Sequence, residues 1–566
     1  MQDMVSRIWI LAAAILWAAV VGIALWTRPP LPVDETRYLA VAWEMWHAGD
    51  YLVPHLNGET YSHKPPMLFW LMTLSWALFG VNEWSAGLIA PLFGLGCLFL
   101  TARLTRLLWP ELPVASAAAP LVLFGAIFWT VFTTLTMFDM MLALFTLVSL
   151  IGLLGAWRAA GDGGMRRGFL LFGIGIGLGV LAKGPVILLH TLPVALLAPL
   201  WGPRLDGGER PKPATGWRPW YLGVLGGVLI GTAIGLAWAI PAAIKGGGAF
   251  AHAIFIGQSA GRMVESFAHQ RPWWWYLAVI LPLLLPWTLW PALWRAVAGP
   301  AAWRAGRGLG AIAGDGATRF CLAWFLPAFV AFSLISGKQL HYLLPDFPAL
   351  AILVAVLIAK AETGGARSGN SAIDQAVPGI FAVVVGAAAF FVPFAPLTAK
   401  QAERILPVAP TWMLMLALAG LLVAAMGLSA RPRRATGRVF ALACLSAVAV
   451  VSLHLAARPK LHASLNLHPI AERLADWQRN GEAIAHVGKY HGQFNFIGRL
   501  TEPVTPIGLG PKDIEAWLEK HPRGKVVSYR SRLPKGIVYS QPYKTDFIVV
   551  WDREDLARDP DVADRD

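Results

Sequence analysis

Residues 58–71 read GETYSHKPPMLFWL and place a histidine and a lysine directly before two prolines and an apolar run. That run, 66–80, is fifteen residues long, which as a helix is about 22 Å. A bilayer-spanning helix needs about 20 apolar residues. Whether this run crosses the membrane determines on which side of the membrane every later loop lies. Because it is short, we predict a half-inserted or juxtamembrane helix on the outer side.

The composition around this stretch indicates a membrane protein. Of 566 residues 56% are apolar, 14% are charged and 27 are tryptophan. A soluble chain of this length does not need so much apolar surface, and tryptophan is enriched where side chains meet lipid headgroups. The net charge of +14 lies mostly in short loops between apolar runs, which argues against nucleic-acid binding. The apolar run after Arg7 has no cleavage site, so we expect a retained first helix.

Thirteen runs are long enough to be predicted as membrane spans. They are 8–26, 84–108, 113–134, 138–157, 168–182, 184–200, 220–241, 276–296, 320–335, 343–360, 378–395, 411–428 and 438–456.

Basic residues mark the cytoplasmic loops, because lysine and arginine are enriched on that side. The expected cytoplasmic set is Arg103, Arg106, Arg158, Arg166, Arg167, Arg204, Arg210, Lys212, Arg218, Arg295, Arg304, Arg307, Arg431, Arg433 and Arg434. These positions agree with a cytoplasmic N-terminus only if 66–80 does not cross completely. We therefore predict two domains, a transmembrane domain over 1–456 and a soluble α/β domain over 457–566 on the outer side.

The unusual polar residues then fall on the outer face. They are Asp34, Glu35, Arg37, Tyr61, His63, Lys64, Asp139, Lys183, Arg262, Glu265, His269, Arg271, Lys338, His341 and Tyr342. Charges at a membrane edge are costly unless they have a partner or a function. Their convergence from six loops predicts a site at this face, although the pattern alone does not name a reaction.

Each of these residues also has a structural interpretation. Asp34 and Glu35 suit the start of any helix, and Lys64 suits a side chain that reaches for lipid headgroups. Asp139 and Lys183 interrupt apolar sequence, which favours function, although Lys183 also fits a loop at the headgroups. His63 and His269 are metal-ligand candidates without HExxH-like spacing, and satisfied histidines are commoner. The three cysteines, Cys97, Cys321 and Cys444, form no metal or disulfide motif.

Five motifs resemble one known family in their order and spacing: VDETRYLAVAWEM with YSHKPP, TMFDMML, LAKGP, the GQS loop ending in WWWYL, and SGKQLHYLLPDFPALAIL. The chain resembles membrane glycosyltransferases of the GT-C fold, within the protein O-mannosyltransferase-like group. It is most similar to bacterial aminoarabinose transferases that modify lipid A. The resemblance covers nearly the whole membrane region.

The resemblance implies an enzyme of the bacterial inner membrane whose active site faces the periplasm. Its donor would be a sugar, 4-amino-4-deoxy-L-arabinose, on undecaprenyl phosphate, and its acceptor lipid A or another envelope glycan. By the same resemblance Asp34 is the active-site acid and Asp139 a second acid, both predicted to be catalytic. Lys64 would hold the donor phosphate, while Tyr342 and His269 would line the cavity.

Reaction chemistry extends this assignment to further residues. A departing phosphate needs charge stabilisation more than protonation, so Lys183 and Arg271 are predicted to help Lys64. The remaining cavity candidates are Glu35, Arg37, Tyr61, Lys338 and His341. Asp34 would be a general base for a hydroxyl acceptor, but would orient the acceptor or stabilise the sugar ring if the acceptor is a phosphate. No nucleotide is required.

One departure from the family leaves the metal open. The position of His63 is usually a glutamate, which with the later-loop histidine can hold a metal ion. Here His63 and His269 would be the ligands of a candidate Zn²⁺ or Mg²⁺ ion. Two other functions also stay open: a GT-C transferase with a different acceptor, such as core polysaccharide or protein, and a flippase for polyprenyl-linked sugars. The flippase lacks support from internal repeats.

Overall fold

The computed structural model of the chain describes residues 2–208, 212–261, 270–298, 314–363, 373–391, 408–428, 435–533 and 536–558. The site candidates Arg262, Glu265 and His269 lie outside these residues, as do Arg210, Arg304, Arg307 and the arginines at 431–434.

The membrane part is built of eighteen helices within the described ranges. They are α1 (Gln2–Thr27), α2 (Asp34–Ala48), α3 (Met67–Phe79), α4 (Glu83–Leu108), α5 (Pro113–Gly125), α6 (Ile127–Thr133), α7 (Asp139–Arg158), α8 (Asp162–Lys183), α9 (Ile187–Leu196), α10 (Ala198–Trp201), α11 (Trp217–His252), α12 (Trp275–Leu283), α13 (Pro291–Ala298), α14 (Gly316–Leu334), α15 (Phe347–Thr363), α16 (Ile373–Phe391), α17 (Met413–Leu428) and α18 (Ala435–Leu465). Short 3₁₀ or π turns cover Gly202–Gly208, Ala253–Gly261, Trp287–Leu289, Leu340–Asp346 and Pro410–Trp412. A two-stranded hairpin, β1 (His55–Leu56) and β2 (Glu59–Thr60), follows α2.

Fewer than thirteen of the predicted runs form long spanning helices. Within the described ranges, nine helices are long and apolar enough to cross a membrane, and the α5–α6 pair, bent by 72°, makes a tenth. The runs 184–200 and 276–296 instead form shorter helices, because prolines and turns interrupt them. The described helix of the run 411–428, Met413–Leu428, has only 16 residues. The run 66–80 forms α3, a helix of only 13 residues, as its length predicts. The chain is thus a multi-pass helical membrane protein.

The helices α7 and α8 pack against each other within the bundle. They are consecutive and antiparallel, so the first residue of α7 and the last residue of α8 lie at the same end. A Cβ atom on Gly168 would lie 2.4 Å from the backbone nitrogen of Ala156, so only glycine permits this close approach. At the opposite end of the helix pair from Gly168, Asp139 and Lys183 are in contact.

The C-terminal part, which begins after α18 ends at Leu465, is an α/β unit. It contains α19 (His468–Arg479), β3 (Ile484–Val487), α20 (Asn495–Gly498), β4 (Thr505–Ile507), α21 (Pro511–Lys520), β5 (Lys525–Arg530), β6 (Tyr539–Tyr543), β7 (Asp546–Trp551) and α22 (Arg553–Arg558). The sheet order is β4-β3-β5-β7-β6. Strand β3 pairs parallel with both β4 and β5, whereas β7 pairs antiparallel with β5 and β6.

This α/β unit docks on the bundle through α2 and the β1–β2 hairpin. The indole of Trp43 donates a 2.9 Å hydrogen bond to the carbonyl of Leu500. The Asn57 side chain donates to the Val504 carbonyl at 2.7 Å and accepts from the Val504 amide at 2.8 Å. The α/β unit therefore sits on the same side of the bundle as the first polar loop.

Candidate active site

A buried ion pair joins the start of α7 to the end of α8. Lys183 Nζ is 2.5 Å from Asp139 Oδ1, and the two side chains are 12% and 1% exposed. The ring of Tyr342 lies beneath the same ammonium, 5.4 Å from Nζ to the ring centroid. Sequence reasoning placed these residues in one site, and the structure brings them together.

Lys64 reaches the same cluster from the other direction. The two prolines that follow Lys64 precede α3, whose rigid start sets the direction of the chain. The Lys64 Nζ atom lies 5.5 Å from the centroid of the ring of Phe138, the residue directly before Asp139. Asp139 and His341 are both within electrostatic range of this ammonium. Two lysine side chains therefore converge on one buried carboxylate.

Asp34 lies at the first turn of α2 and is the water-exposed acid of the cluster. Its side chain is 54% exposed and forms an ion pair with Arg37, one helical turn later. The Tyr38 hydroxyl is 3.5 Å from the same carboxylate oxygen. Tyr61 lies within electrostatic range of Arg37. The Asp34 carboxylate is therefore accessible from outside the protein.

Glu35 departs from the role predicted for it. It is buried, and its carboxylate binds Arg28, with one contact at 2.9 Å, and accepts from the amides of Leu31 at 2.8 Å and Thr136 at 2.7 Å. Burial raises the pKa of Glu35, but the Arg28 charge and these hydrogen bonds outweigh it and leave the pKa below its ordinary value. With its oxygens bound internally, Glu35 holds structure in place and does not present itself to a substrate.

Lys338 also differs from its prediction as a cavity residue. It is buried, and its ammonium donates to the backbone carbonyls of Arg271, at 3.0 Å, and Ile335. The Arg271 amide donates to the Ser336 carbonyl at 3.2 Å. Lys338 therefore joins two backbone segments, because a buried ammonium takes whatever acceptors the fold provides. Arg271 itself is exposed, with its guanidinium 6.0 Å from the Trp275 ring.

The two metal-ligand candidates do not meet in the described part of the chain. His63 is exposed and stacks on Tyr61, with ring centroids 5.3 Å apart. Within the described ranges, no group of three or more histidine, cysteine, aspartate or glutamate residues is arranged to hold a metal ion. His269 lies outside these ranges. The described residues by themselves do not fit a metal centre.

Several buried partners escaped sequence reasoning. Arg28, with a side chain 5% exposed, donates to the Thr134 carbonyl at 2.6 Å as well as to Glu35. A lone arginine at the outer end of the first span, against the positive-inside rule, was the available signal. His190 Nδ1 lies 2.8 Å from Asp346 Oδ1, both fully buried. This pair fixes the 3₁₀ turn that carries His341 and Tyr342.

A family model and several proteins match the chain. Residues 31–206 match the PMT family, described as dolichyl-phosphate-mannose-protein mannosyltransferase. A relative from Enterobacter sp. (strain 638), named undecaprenyl phosphate-alpha-4-amino-4-deoxy-L-arabinose arabinosyl transferase, is 30% identical over 57% of this chain and 54% of its own length. A protein of the same name from Serratia proteamaculans (strain 568) is 27% identical over 66% and 63%. The chain thus aligns with about half to three-fifths of these relatives.

The fold is similar over nearly the full length to a solved structure. The crystal structure of ArnT from Cupriavidus metallidurans bound to undecaprenyl phosphate superposes with a TM-score of 0.71 and 20% identity, covering 96% of this chain and 97% of that one. These comparisons confirm the resemblance predicted from the motifs and the helical GT-C fold. The roles of individual residues stay predictions.

Proposed function

We propose that this chain is an integral membrane glycosyltransferase that moves 4-amino-4-deoxy-L-arabinose from undecaprenyl phosphate to lipid A or a related envelope acceptor. The observation that carries the proposal is the convergence of Lys64 and Lys183 on Asp139, at the end of the bundle where Asp34 is exposed. The sugar and donor are those in the names of the relatives from Enterobacter and Serratia. The similarity to ArnT supports a GT-C scaffold for this chemistry.

The lysines would bind the donor phosphate. A polyprenyl donor keeps its tail in lipid, so its phosphate must stand at the membrane edge, where Lys64 and Lys183 lie. When the bond between the anomeric carbon and the phosphate oxygen breaks, negative charge grows on that oxygen. Fixed ammonium groups aimed at this position lower the barrier without any reorganisation. Arg271 on the neighbouring segment is a further cation for the same role.

Asp139 would act through Lys183. Its carboxylate is 1% exposed and its contact with Lys183 is short, so it orients the ammonium and balances its charge. Asp34 is the acid open to an acceptor. It would take the proton of a hydroxyl acceptor, or orient a phosphate acceptor, which is already nucleophilic. Arg37, Tyr61, His341 and Tyr342 would complete the surface around the sugar.

We place the site and the α/β unit on the periplasmic side of the bacterial inner membrane, with thirteen crossings. The basic loops support this orientation, and the contacts of Trp43 and Asn57 with the α/β unit put both on one side. The three runs that form shorter helices, 184–200, 276–296 and 411–428, would supply the remaining crossings. A divalent metal would require His269 in addition to His63, and no step of the proposal depends on it.

Mass spectrometry of lipid A tests the proposed function. We compare cells that carry the gene, lack it, or carry the Asp34→Asn variant. A pentosamine on the lipid A phosphates that appears only with the intact gene supports the proposal. Unchanged lipid A in all three strains rejects this acceptor, and a sugar missing from core polysaccharide or protein in the deletion strain would then identify the other one.

A further inference from the structure

The sheet of the C-terminal unit has a topological switch point at its first strand. From β3 the chain continues to β4 on one side of it, and then returns to β5 on the other side. The helices around these strands pack on both faces of the sheet. Ile470 of α19 and Phe494 before α20 belong to the core of one face, and Ile514 and Trp517 of α21 to that of the other. Open sheets bind ligands outside the carboxyl ends of strands at such a point.

The loop at this position carries two basic side chains. Strand β3 ends at Val487 and is followed by the sequence GKYHG over 488–492. Lys489 is exposed and His491 is half-buried. The backbone of the loop is held firmly, because the His491 amide donates to Gln493 at 3.1 Å and Gln493 donates to the Tyr529 hydroxyl of β5 at 2.8 Å.

The same loop lies against α2, close to the candidate active site. A Cβ atom on Gly492, whose φ is +72°, would lie 2.4 Å from Leu56 Cδ1 and 3.2 Å from the Ala40 Cβ. Ala40 follows Arg37 by one helical turn. The Asn495 side chain donates to Glu44, one turn further along α2, at 3.1 Å. The loop at the carboxyl end of β3 therefore packs against α2, and Arg37 and Asp34 of that helix are within electrostatic range of His491.

The charges around this opening are mainly positive. Burial lowers the pKa of His491, the cations of Arg37 and Lys489 lower it further, and the Asp34 carboxylate opposes them. All three charged groups are therefore within electrostatic range of the imidazole. An anion placed between Lys489 and His491 would be attracted by the cations of Arg37 and Lys489 and would accept a charge-assisted hydrogen bond from the Lys489 ammonium.

We infer that Lys489 and His491, at the switch point of the C-terminal sheet, form a binding site for a phosphomonoester on the acceptor. This inference rests on the proposed function, since it concerns the acceptor of the same reaction. The α/β unit would hold one phosphate of a glycolipid while another part of that molecule reaches Asp34. Arg37, between the loop and Asp34, would connect the two positions.

Direct binding tests the inference with the full chain in lipid nanodiscs. The probes are bis-phosphorylated lipid A, chemically dephosphorylated lipid A, inorganic phosphate as a competitor, and undecaprenyl phosphate. The variants are Lys489→Gln and the double variant Lys489→Gln/His491→Ala. Lys520→Ala is the matched control, because this exposed lysine lies at the end of α21, at the opposite edge of the sheet.

We expect wild type and Lys520→Ala to bind bis-phosphorylated lipid A at least about tenfold more tightly than the dephosphorylated form. The double variant should lose most of this preference and retain unchanged affinity for undecaprenyl phosphate. Lys489→Arg should keep the preference, since the charge remains. Competition by inorganic phosphate at concentrations comparable to lipid A would instead identify a free-phosphate site and overturn the glycolipid assignment.

Two further outcomes would also overturn the inference. One is a wild-type protein with no preference for the phosphorylated form, or a double variant that keeps it. The other is a loss of undecaprenyl phosphate affinity in the double variant, which would make the loop part of the donor site. Binding is measured without turnover, so a failure of sugar transfer in cells would reject the proposed function separately. Lys489 is exposed, so the single variant folds even if the double variant does not.

Discussion

Two aspartates at the outer end of the bundle have different surroundings and therefore different expected roles. Asp139 is enclosed and bound to Lys183, whereas Asp34 is half-exposed and bound to Arg37. A carboxylate that is open to solvent can meet an acceptor. A buried carboxylate that is bound to an ammonium group instead orients that group and balances its charge. Substitutions at the two positions should consequently differ in their effect on folding.

At Asp34, replacement by asparagine should remove transfer but leave the fold intact. The change keeps the size of an exposed side chain and removes only the charge. We expect sugar transfer in membrane vesicles to fall at least about 100-fold, the usual contribution of a positioned acid or base. Glu59→Gln, an exposed acid of β2 on the same outer side, is the control and should keep full activity. Equal activity of the two variants would contradict the assignment.

For the Asp139–Lys183 pair, single substitutions should destabilise the protein more than the double substitution. Asp139→Asn or Lys183→Met removes one partner of this buried ion pair, which costs about 3–5 kcal/mol. Asp139→Asn/Lys183→Met removes both charges and should recover much of the free energy of unfolding, while transfer stays lost. Denaturation of the purified variants measures the first effect and the vesicle assay the second. Additive losses of stability would show that the pair does not couple.

The start of α2 is held in place by Glu35, whose side chain is buried. Glu35 ties this helix to Arg28 at the end of α1 and to the amide of Thr136 before α7. Three elements of the site therefore depend on one buried carboxylate. Asp34, its neighbour, is positioned by this arrangement, because a helix held at residue 35 fixes the direction of residue 34.

Glu35→Gln should therefore destabilise the fold in a pH-dependent way. The folded protein lowers the pKa of Glu35 below its usual 4.5, so its stabilisation is fully present above about that pH and is lost as the pH falls through the folded pKa. At pH 7 we expect the variant to lose about 3 kcal/mol, and this difference should shrink below pH 4.5. Unfolding midpoints across pH measure it. Glu111→Gln, an exposed acid in the α4–α5 loop, should show no difference at any pH.

At the scale of the whole molecule, the α/β unit covers the side of the bundle on which the polar cluster lies. Trp76 stacks on Phe496 with ring centroids 5.0 Å apart, and His468 contacts Glu83 at 2.6 Å. These contacts join the base of the α/β unit to α3 and α4. The unit and the bundle therefore form one outer surface, so a single orientation in the membrane places both.

Cysteine labelling tests that orientation. Glu59→Cys and Lys520→Cys lie on the hairpin and the α/β unit, and Glu111→Cys lies in the opposite loop. A membrane-impermeant maleimide added to cells with a permeabilised outer membrane should label positions 59 and 520 but not 111. Inverted vesicles should give the reverse. Of the native cysteines, Cys97 and Cys321 are buried and Cys444 is half-buried, so the unsubstituted chain measures the background labelling. Labelling of 111 from outside would contradict a periplasmic site.

The sequence by itself determined the membrane class, the resemblance to GT-C glycosyltransferases and most members of the polar cluster. Apolar runs of span length and basic loops act locally, so they can be recognised without a fold. It also predicted that 66–80 is too short to cross, and α3 has 13 residues. Asp139 and Lys183 were identified because a charged residue at the edge of an apolar run is costly wherever the chain goes, whereas Tyr342 was assigned to the cavity from the resemblance.

Only the tertiary structure decided which of those polar residues are bound by internal partners. Glu35 and Lys338 look like site residues in sequence, but Glu35 also accepts from the distant Thr136 amide and Lys338 donates to the distant Arg271 carbonyl. The placement of the GKYHG loop of β3 beside Arg37 likewise depends on packing between residues more than 400 positions apart. Partners of this kind are chosen by three-dimensional proximity, and the local sequence carries no record of it.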